Sequence, residues 1–203
     1  MEYFRLYTPN PNPRDIDRIV GALRDGAVMI YPTDTLYAIG CDALNVRAVE
    51  RICRIKSIDP QKAVLSIVCP DFSMLSRYAR VSDTHFRLMR RNLPGAFTFI
   101  LPASSQLPRI YKHRKSVGIR IPDNAIAQEI TRQLGNPLLS ASIDPQCDET
   151  EYLTDTSLIQ EVYGNDIDLF VDGGDGGTEP STIVDCCGDT PQTVRQGKGI
   201  LIE

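Results

Sequence analysis

The segment Tyr31-Pro32-Thr33-Asp34-Thr35-Leu36-Tyr37 follows a short apolar stretch, residues 27–31, that we predict as a buried strand. Pro32 ends this strand because proline has no backbone N–H for a sheet hydrogen bond. Three small oxygen-bearing side chains then follow in succession, at a strand end of the kind where open α/β sheets place ligands. The alternative is a turn in which Thr33 and Asp34 bond their own backbone, and the segment alone favours neither interpretation.

Outside this segment, predicted strands alternate with predicted helices. Apolar stretches predict further strands over residues 3–7, 63–69, 97–101, 117–121, 138–143, 167–171, 182–185 and 193–195. Apolar residues at helical spacing predict four helices that begin after the N-caps Asn12, Asn45, Ser82 and Asp123, and a fifth over 154–163. This alternation indicates one α/β domain over residues 1–203, built as a twisted mixed sheet with flanking helices.

The cysteine content and hydropathy of the chain predict its location. Six cysteines occur without a C-x-x-C pair, which is typical of a reducing cytosol rather than of a disulfide framework. No apolar run approaches the ~18 residues needed to span a membrane, and no secretory signal is visible. We therefore expect a cytoplasmic protein without membrane contact; the sequence does not indicate its oligomeric state.

Two parts of the chain carry opposite charge. Residues 47–120 contain 15 Lys and Arg against 4 Asp and Glu, whereas residues 121–203 contain 3 against 16. Either the two parts attract each other within one fold, or the basic part offers a face for phosphates or nucleic acid. The position of the basic part beside the motifs below favours the second interpretation.

Three cations lie where a bound anion would explain them. Lys56 ends the second helix, where it either complements the helix dipole or reaches a phosphate as a mobile point charge. Arg120 lies within an apolar strand, where an unpaired guanidinium is costly, so we expect an anionic partner: Asp123, a later carboxylate, or a bound carboxylate or phosphate. Arg195, on a closing strand, is a further cation that needs a partner.

Small polar residues and glycines follow two later strands. Ser140 and Ser142 offer hydroxyls at the end of an apolar strand, and residues 172–177 form a glycine-rich segment before Ser181. Glycines let backbone N–H groups approach an anion closely, although a hairpin turn is the favoured interpretation of this cluster. The cluster matches neither a Walker loop nor a dinucleotide fingerprint.

Several classes of site are excluded by the residues that are missing. The two histidines, His85 and His113, lie far apart and lack the cysteine or carboxylate spacing of a zinc site. No G-x-S-x-G elbow is present, and neither histidine has an obvious nucleophile as partner. We therefore assign no metal site and no catalytic nucleophile.

These segments together resemble the YrdC/YciO family in order and spacing over nearly the whole chain. The matching stretches are YPTDTLYAIG (31–40), RICRIK (51–56), LPGAFTFIL (93–101), SVGIRIP (116–122), PLLSAS (137–142), DGGDGGTEPSTIVD (172–185) and VRQGKG (194–199). The stretch at 51–55 and FRLMRRNLPGAFTFIL (86–101) look most like the YciO branch.

The resemblance implies a YrdC-like mixed sheet around a concave, positively charged cleft. It also implies an ATP-dependent L-threonylcarbamoyladenylate synthase or a variant, which combines threonine, bicarbonate and ATP for tRNA modification, with Mg²⁺ arriving on the ATP. The residues expected to bind the amino-acid substrate are Thr33, Thr35, Arg120, Ser142 and Ser181, with Arg120 on its carboxylate. The residues expected to bind the nucleotide are Lys56, Ser116, Asp144 and Arg195.

Two positions depart from the synthase branch of that family. The branch carries K-x-R after the second helix, and Ile58 stands here at the position of the Arg. Its S-x-N is here Ser142-Ile143-Asp144, and a carboxylate near a triphosphate repels it unless Mg²⁺ bridges them or the carboxylate is protonated or turned away. A cleft that binds a nucleotide without turnover is therefore a further possibility.

An RNA-binding module is the alternative function, since other family members are reported to bind double-stranded RNA. Its contacts with tRNA or duplex RNA would come from the basic 47–120 face, at Arg87, Arg90, Arg91, Arg109, Lys112, Arg114 and Lys115. Affinity would then fall steeply as salt rises.

Overall fold

A ten-stranded sheet organises the residues that the computed structural model describes, which are 1–7, 10–59, 66–107, 115–143 and 150–203. In chain order the strands are β1 (Glu2–Arg5), β2 (Met29–Tyr31), β3 (Ala38–Asp42), β4 (Ser66–Val68), β5 (Phe97–Pro102), β6 (Ser116–Arg120), β7 (Leu138–Ser142), β8 (Leu169–Asp172), β9 (Thr182–Asp185) and β10 (Gln192–Arg195). Across the sheet their order is β1-β8-β2-β3-β7-β4-β6-β5-β9-β10. Both parallel and antiparallel neighbours occur, so the predicted mixed sheet is confirmed.

Helices cover both faces of this sheet. They are α1 (Pro13–Arg24), α2 (Val46–Ile55), α3 (Phe72–Tyr78), α4 (Asp83–Asn92), α5 (Ala125–Leu134), α6 (Glu151–Thr154) and α7 (Thr156–Tyr163). The predicted caps Asn12, Asn45 and Ser82 each accept a backbone N–H of the first turn, as polar N-caps do. The prediction that Asp123 caps α5 was wrong, because Asn124 accepts that N–H.

Four other features differ from the sequence prediction. Strand β3 and helix α3 were not predicted, since β3 has a glycine in its middle and α3 has only seven residues, although Phe72, Leu75 and Tyr78 recur there at helical spacing. Asp155 divides the predicted helix over 154–163 and caps α7 with its own carboxylate. The glycine-rich segment is not a hairpin turn, because β8 pairs with β1 and β2 whereas β9 pairs with β5 and β10. Residues 173–181 therefore cross from one part of the sheet to another.

Two hydrophobic cores lie on opposite faces of the sheet. The larger core packs α2, α3, α4 and α7 against one face, through residues such as Ile52, Met89 and Ile159. The smaller core packs α1 and α5 against the other face, and it includes residues of β1, β2, β3, β4, β7 and β8. It includes no described residue of β5, β6, β9 or β10. The sheet face that α1 and α5 cover is therefore left open at β6, β5 and β9.

The described cysteines form no disulfide with one another. Cys41, Cys53, Cys69 and Cys186 are buried and Cys187 is exposed, while Cys147 lies outside the described residues. Among the described residues we also find no helix whose length and apolar character would let it cross a membrane.

Labelling of Cys187 is expected to be slow near neutral pH. Partial desolvation of the Sγ atom, followed by the hydrogen bond to Asp185, raises the pKa of this otherwise exposed thiol to about 11, and the thiolate is the reactive form. In a Cys147→Ser background, the rate of disulfide-reagent labelling should keep rising about tenfold per pH unit from pH 8 to 10. Asp185→Asn should accelerate it at pH 8. A plateau near pH 9 would contradict the raised pKa.

Candidate functional site

Small polar residues line the part of the sheet face that α1 and α5 leave open. Ser66 pairs with Gly118 on one side and with Ser140 on the other. A Cβ at Gly118 would lie 2.7 Å from Ser66 Oγ and 3.2 Å from Thr98 Cγ2, and Thr98 Oγ1 lies 2.8 Å from Ser181 Oγ. We call this set the hydroxyl floor; its members are Ser66, Thr98, Gly118, Ser140, Ser142 and Ser181.

Two hydroxyls of the floor remain available to a ligand. Ser140 accepts a hydrogen bond from Tyr31 at 2.8 Å, and burial raises the pKa of that phenol to about 12, so it stays a donor. Ser181 shares its hydrogen bond with Thr98. Ser66 and Ser142 are half-buried, and their hydroxyls make no hydrogen bond with another described residue. Polar hydroxyls on a half-buried surface favour binding of a polar guest.

The turn at residues 33–35 uses most of its own hydroxyl groups. Thr33 Oγ1 donates to the carbonyl of Leu36 at 2.6 Å and accepts the N–H of Thr35 at 3.1 Å. Because its single proton goes to Leu36, the 3.0 Å contact between the two threonine hydroxyls has Thr35 as donor. Neither hydroxyl has a proton left for a ligand. The local geometry therefore agrees with the turn interpretation, and Thr35 Oγ1 retains the capacity to accept.

Arg120 is paired with an acidic residue of the same turn. Its Nη2 donates to Asp34 Oδ1 at 2.7 Å and to Thr35 Oγ1 at 2.9 Å. The two charged side chains are 5% and 8% exposed, so the pair is buried. Asp34 Oδ2 accepts the backbone N–H of Asp123 at 3.0 Å. The prediction of an anionic partner is confirmed, but the partner is Asp34 and not Asp123 or a later carboxylate.

Lys56 and Arg195 lie at opposite ends of the hydroxyl floor. Lys56 is the C-cap of α2, and its Nζ donates to the carbonyl of Ser142 at 2.7 Å. Arg195, at the end of β10, donates from Nη2 to the carbonyl of Ser181 at 2.8 Å. Within the described part of the chain, Arg195 forms no ion pair with a carboxylate. A carbonyl dipole does not neutralise a full charge, so this end of the floor stays positive.

Lys198 is a further cation beside the site that sequence reasoning did not assign. Its Nζ donates to the backbone carbonyl of Asp34 at 2.6 Å, although the side chain is otherwise exposed. Lys198 lies in the segment that follows β10, so its side chain reaches the turn from the Arg195 end of the floor. Cations therefore reach this face from three parts of the chain: Lys56 after α2, Arg120 on β6, and Arg195 with Lys198 near β10.

Glycines of the 173–181 crossover allow it to touch the turn directly. A Cβ at Gly173 would lie 2.6 Å from Pro32 Cγ, and one at Gly177 would lie 2.2 Å from the carbonyl oxygen of Thr35. The Gly177 N–H donates to that oxygen at 3.0 Å. Gly173 is therefore required for contact with the Pro32 ring, and Gly177 for contact between two backbones.

The matching family model, described as "Telomere recombination" (Sua5_yciO_yrdC), covers residues 21–197. The chain belongs to the Sua5/YciO/YrdC family. It is 40% identical over 201 residues to a protein of Escherichia coli K12 named "Uncharacterized protein YciO", with 98% of this chain and 96% of that one covered. A threonylcarbamoyl-AMP synthase of Vibrio vulnificus is 30% identical over 188 residues, covering 90% of this chain and 98% of the relative. The E. coli YciO crystal structure matches with a TM-score of 0.89 at 38% identity, covering 98% of both chains, which confirms the fold.

Residues 58 and 144 are the two positions that depart from the synthase branch of the Sua5/YciO/YrdC family, and the structure describes the first of them only. Ile58 is half-buried and packs against the larger core, so no cation replaces the missing arginine at that position. Asp144 lies outside the described residues. Ser116 is half-buried, two residues before Gly118 on β6, so it shares the face of the floor.

The arginines assigned to RNA lie away from the floor. Arg87, Arg90 and Arg91 are exposed on α4, which packs on the opposite face of the sheet through Met89. Lys115 is exposed immediately before β6, and Arg109, Lys112 and Arg114 lie outside the described residues. An RNA contact at α4 would therefore lie on the face of the sheet opposite the hydroxyl floor. The basic part (residues 47–120) and the acidic part (residues 121–203) of the chain also attract each other directly, since Arg51 Nη1 lies 2.5 Å from Asp168 Oδ2.

Sequence reasoning missed four members of this site: Ser66, Thr98, Gly118 and Lys198. A signal for the first three was present, since each is a small or polar residue inside an otherwise apolar strand. Such residues at every second position mark one face of a strand. Lys198 had no comparable signal, because an exposed lysine near the end of a chain is ordinary.

Metal ligands do not cluster in the described residues. No group of three or more His, Cys, Asp or Glu side chains there is arranged to hold a metal ion.

Proposed function

We propose that this protein binds ATP and a small amino acid on the hydroxyl floor and makes L-threonylcarbamoyladenylate, or a close variant of it. The observation that carries the proposal is the hydroxyl floor with Lys56 at one end and Arg195 at the other. Membership of the family and the named synthase among its relatives support the same reaction.

The hydroxyl floor has the residue types that phosphates require. Lys56 and Arg195 offer charge from two ends of the floor, and Ser66 and Ser116 offer hydroxyls between them. Ser142, which the sequence assigned to the amino-acid substrate, lies beside Lys56. Phosphate oxygens are bound best by cations and hydroxyl donors whose positions are fixed before the ligand arrives. Backbone carbonyls position both cations, and Arg195 forms no ion pair with a carboxylate within the described part of the chain.

The amino-acid end of the site is the turn at residues 33–35. Thr35 can accept a hydrogen bond there from the hydroxyl or ammonium group of threonine. Thr33 and Arg120 hold the turn in shape through their bonds to Leu36, Thr35 and Asp34. Ser181, which shares a hydrogen bond with Thr98, is the floor hydroxyl that we assign to this end. We infer that Thr33 acts by positioning the turn and that Arg120 donates to the carboxylate as a charge-neutralised partner.

The reaction needs positioning and electrostatic stabilisation rather than a protein nucleophile. Threonine and bicarbonate form the carbamate with loss of water. A carbamate oxygen then attacks the α-phosphorus of ATP, and the bond to the bridging oxygen breaks to release pyrophosphate. Negative charge grows on the phosphoryl oxygens and on the leaving group, where Lys56 and Arg195 stabilise it.

Pyrophosphate release tests this proposal. With ATP, Mg²⁺, bicarbonate and threonine, we expect release that depends on threonine and bicarbonate. Lys56→Met should lower kcat/KM by about 100-fold, the typical effect of removing one group that stabilises transition-state charge. Arg54→Met removes an exposed cation on the same helix and should leave kcat/KM unchanged.

Absence of pyrophosphate above background in the complete mixture would exclude the synthase reaction. Calorimetry with ATP would then distinguish two remaining cases. ATP binding that Lys56→Met weakens would point to a nucleotide-binding protein without turnover. Absence of ATP binding would exclude the nucleotide site altogether.

A further inference from the structure

We propose that Lys198 supplies the positive charge that binds the carboxylate of the amino-acid substrate. This inference rests on the proposed function, because it concerns the amino-acid end of the same site. It differs from the sequence expectation, which gave that charge to Arg120.

The charge of Arg120 is already neutralised before any substrate arrives. Asp34 accepts from its guanidinium at 2.7 Å, and the Arg120 side chain is 5% exposed. A substrate carboxylate beside the turn would meet Asp34 as well as Arg120, so the attraction and the repulsion would largely cancel. Binding of an anionic group at the turn therefore requires a second cation.

Lys198 lies where it can serve as that second cation. Its Nζ is 2.6 Å from the carbonyl oxygen of Asp34. The carboxylate oxygens of Asp34 are already used by Arg120 and by the N–H of Asp123. Among the described residues Lys198 forms no ion pair, so its contact with the turn leaves its charge available to a guest.

The backbone around Lys198 is fixed while its side chain remains able to move. The Lys198 N–H donates to the carbonyl of Pro180 at 2.9 Å, and the Gly197 N–H donates to Thr182 Oγ1 at 2.9 Å. A Cβ at Gly197 would lie 2.2 Å from the Pro180 oxygen, and one at Gly199 would lie 2.8 Å from the oxygen of Ala96. The backbone is thus held close to β5 and β9. Rotation of side-chain torsions alone can transfer the ammonium from the Asp34 carbonyl to a carboxylate beside it.

The other cations of the site lie at different places. Lys56 bonds the carbonyl of Ser142, and Arg195 bonds the carbonyl of Ser181. Apart from the neutralised Arg120, Lys198 is the one described lysine or arginine whose charged group bonds the turn at residues 33–35. The competing explanation is that Lys198 has only a structural role, as a strap that links the turn to β9. The experiment must distinguish this strap role from binding of the carboxylate.

Comparison of L-threonine with L-threoninamide separates the two roles, because the amide lacks the carboxylate charge. Both ligands are titrated calorimetrically into wild type, Lys198→Met and Lys198→Arg at pH 6.5, where the α-amino group of each is largely protonated. We expect Lys198→Met to weaken threonine binding by about tenfold and threoninamide binding by less than about twofold, as for loss of one charge-assisted contact. Lys198→Arg should retain most of the affinity for threonine.

Equal losses for the two ligands in Lys198→Met would assign Lys198 to the strap role and overturn the inference. Unchanged affinity for threonine would overturn it too, since no contact would then exist. If wild type binds neither ligand, the amino-acid site itself is wrong and the proposed function fails. That result is distinct from the first two, in which wild type binds threonine normally.

Discussion

Asp34→Ala is expected to lower the free energy of unfolding by about 3–5 kcal/mol, because it leaves a buried guanidinium without its counter-charge. Arg120 would keep one contact with Thr35, and its Nε already has no partner among the described residues. The backbone N–H of Asp123 would lose its acceptor as well. Urea unfolding followed by circular dichroism measures the change as a lower midpoint.

The double variant Asp34→Ala with Arg120→Met tests whether the uncompensated charge causes the loss. It should be more stable than Asp34→Ala alone, because the buried charge is gone and methionine restores apolar volume. The exposed pair between Glu2 and Arg18 is the matched control, and Glu2→Gln should change stability by no more than about 0.5 kcal/mol. A loss in Asp34→Ala as small as that in Glu2→Gln would show that Arg120 does not depend on Asp34.

The elements with strong local signals could be predicted from the sequence. Helix α1 begins after Asn12 as predicted, because an asparagine cap, a proline in the first turn and a continuous apolar stripe agree. It ends at Arg24 as predicted, because Gly26 follows with a φ of +98°. Gly135 ends α5 with a φ of +75°, the left-handed conformation that glycine adopts without strain. Strand β3 has no such signal, since it is short, wholly buried and contains Gly40 in its middle.

The partners of the site residues could not be predicted, because they depend on the order of strands in the sheet. Arg120 and Asp34 are 86 residues apart, and they meet because β6 and the turn after β2 reach the same end of the site. The need of Arg120 for an anion follows from its burial, but the identity of the anion is set by this long-range geometry. The partner of the glycine-rich segment could not be predicted either. Its composition suggests close contact with another group, and only the fold shows that this group is Thr35.

Gly177→Ala is expected to lower kcat/KM for pyrophosphate release by about 100-fold, because displacement of a positioning group by about an ångström has effects of that size. The added Cβ would lie 2.2 Å from the carbonyl oxygen of Thr35 and 3.0 Å from its carbonyl carbon. Both atoms belong to the backbone, so no side-chain rotation relieves the overlap. The crossover or the turn must move, which breaks the hydrogen bond from the Gly177 N–H to Thr35. Thr35 and Asp34 move with the turn, and with them the carbonyl that Lys198 contacts.

Gly188→Ala is the matched control, since a Cβ there would meet no atom within 4 Å. We expect this control to retain wild-type activity and stability, whereas Gly177→Ala also loses about 1–3 kcal/mol of stability from overpacking. Hydrogen exchange gives a readout that does not depend on the reaction: amides of residues 172–177 should exchange faster in Gly177→Ala and unchanged in Gly188→Ala. Wild-type exchange and activity in Gly177→Ala would mean that the contact between crossover and turn is not what holds Thr35 and Asp34 in place. Asp34 accepts from Arg120 through its carboxylate and from Lys198 through its carbonyl. The contact between Gly177 and Thr35 therefore also influences where Asp34, Arg120 and Lys198 place their charges.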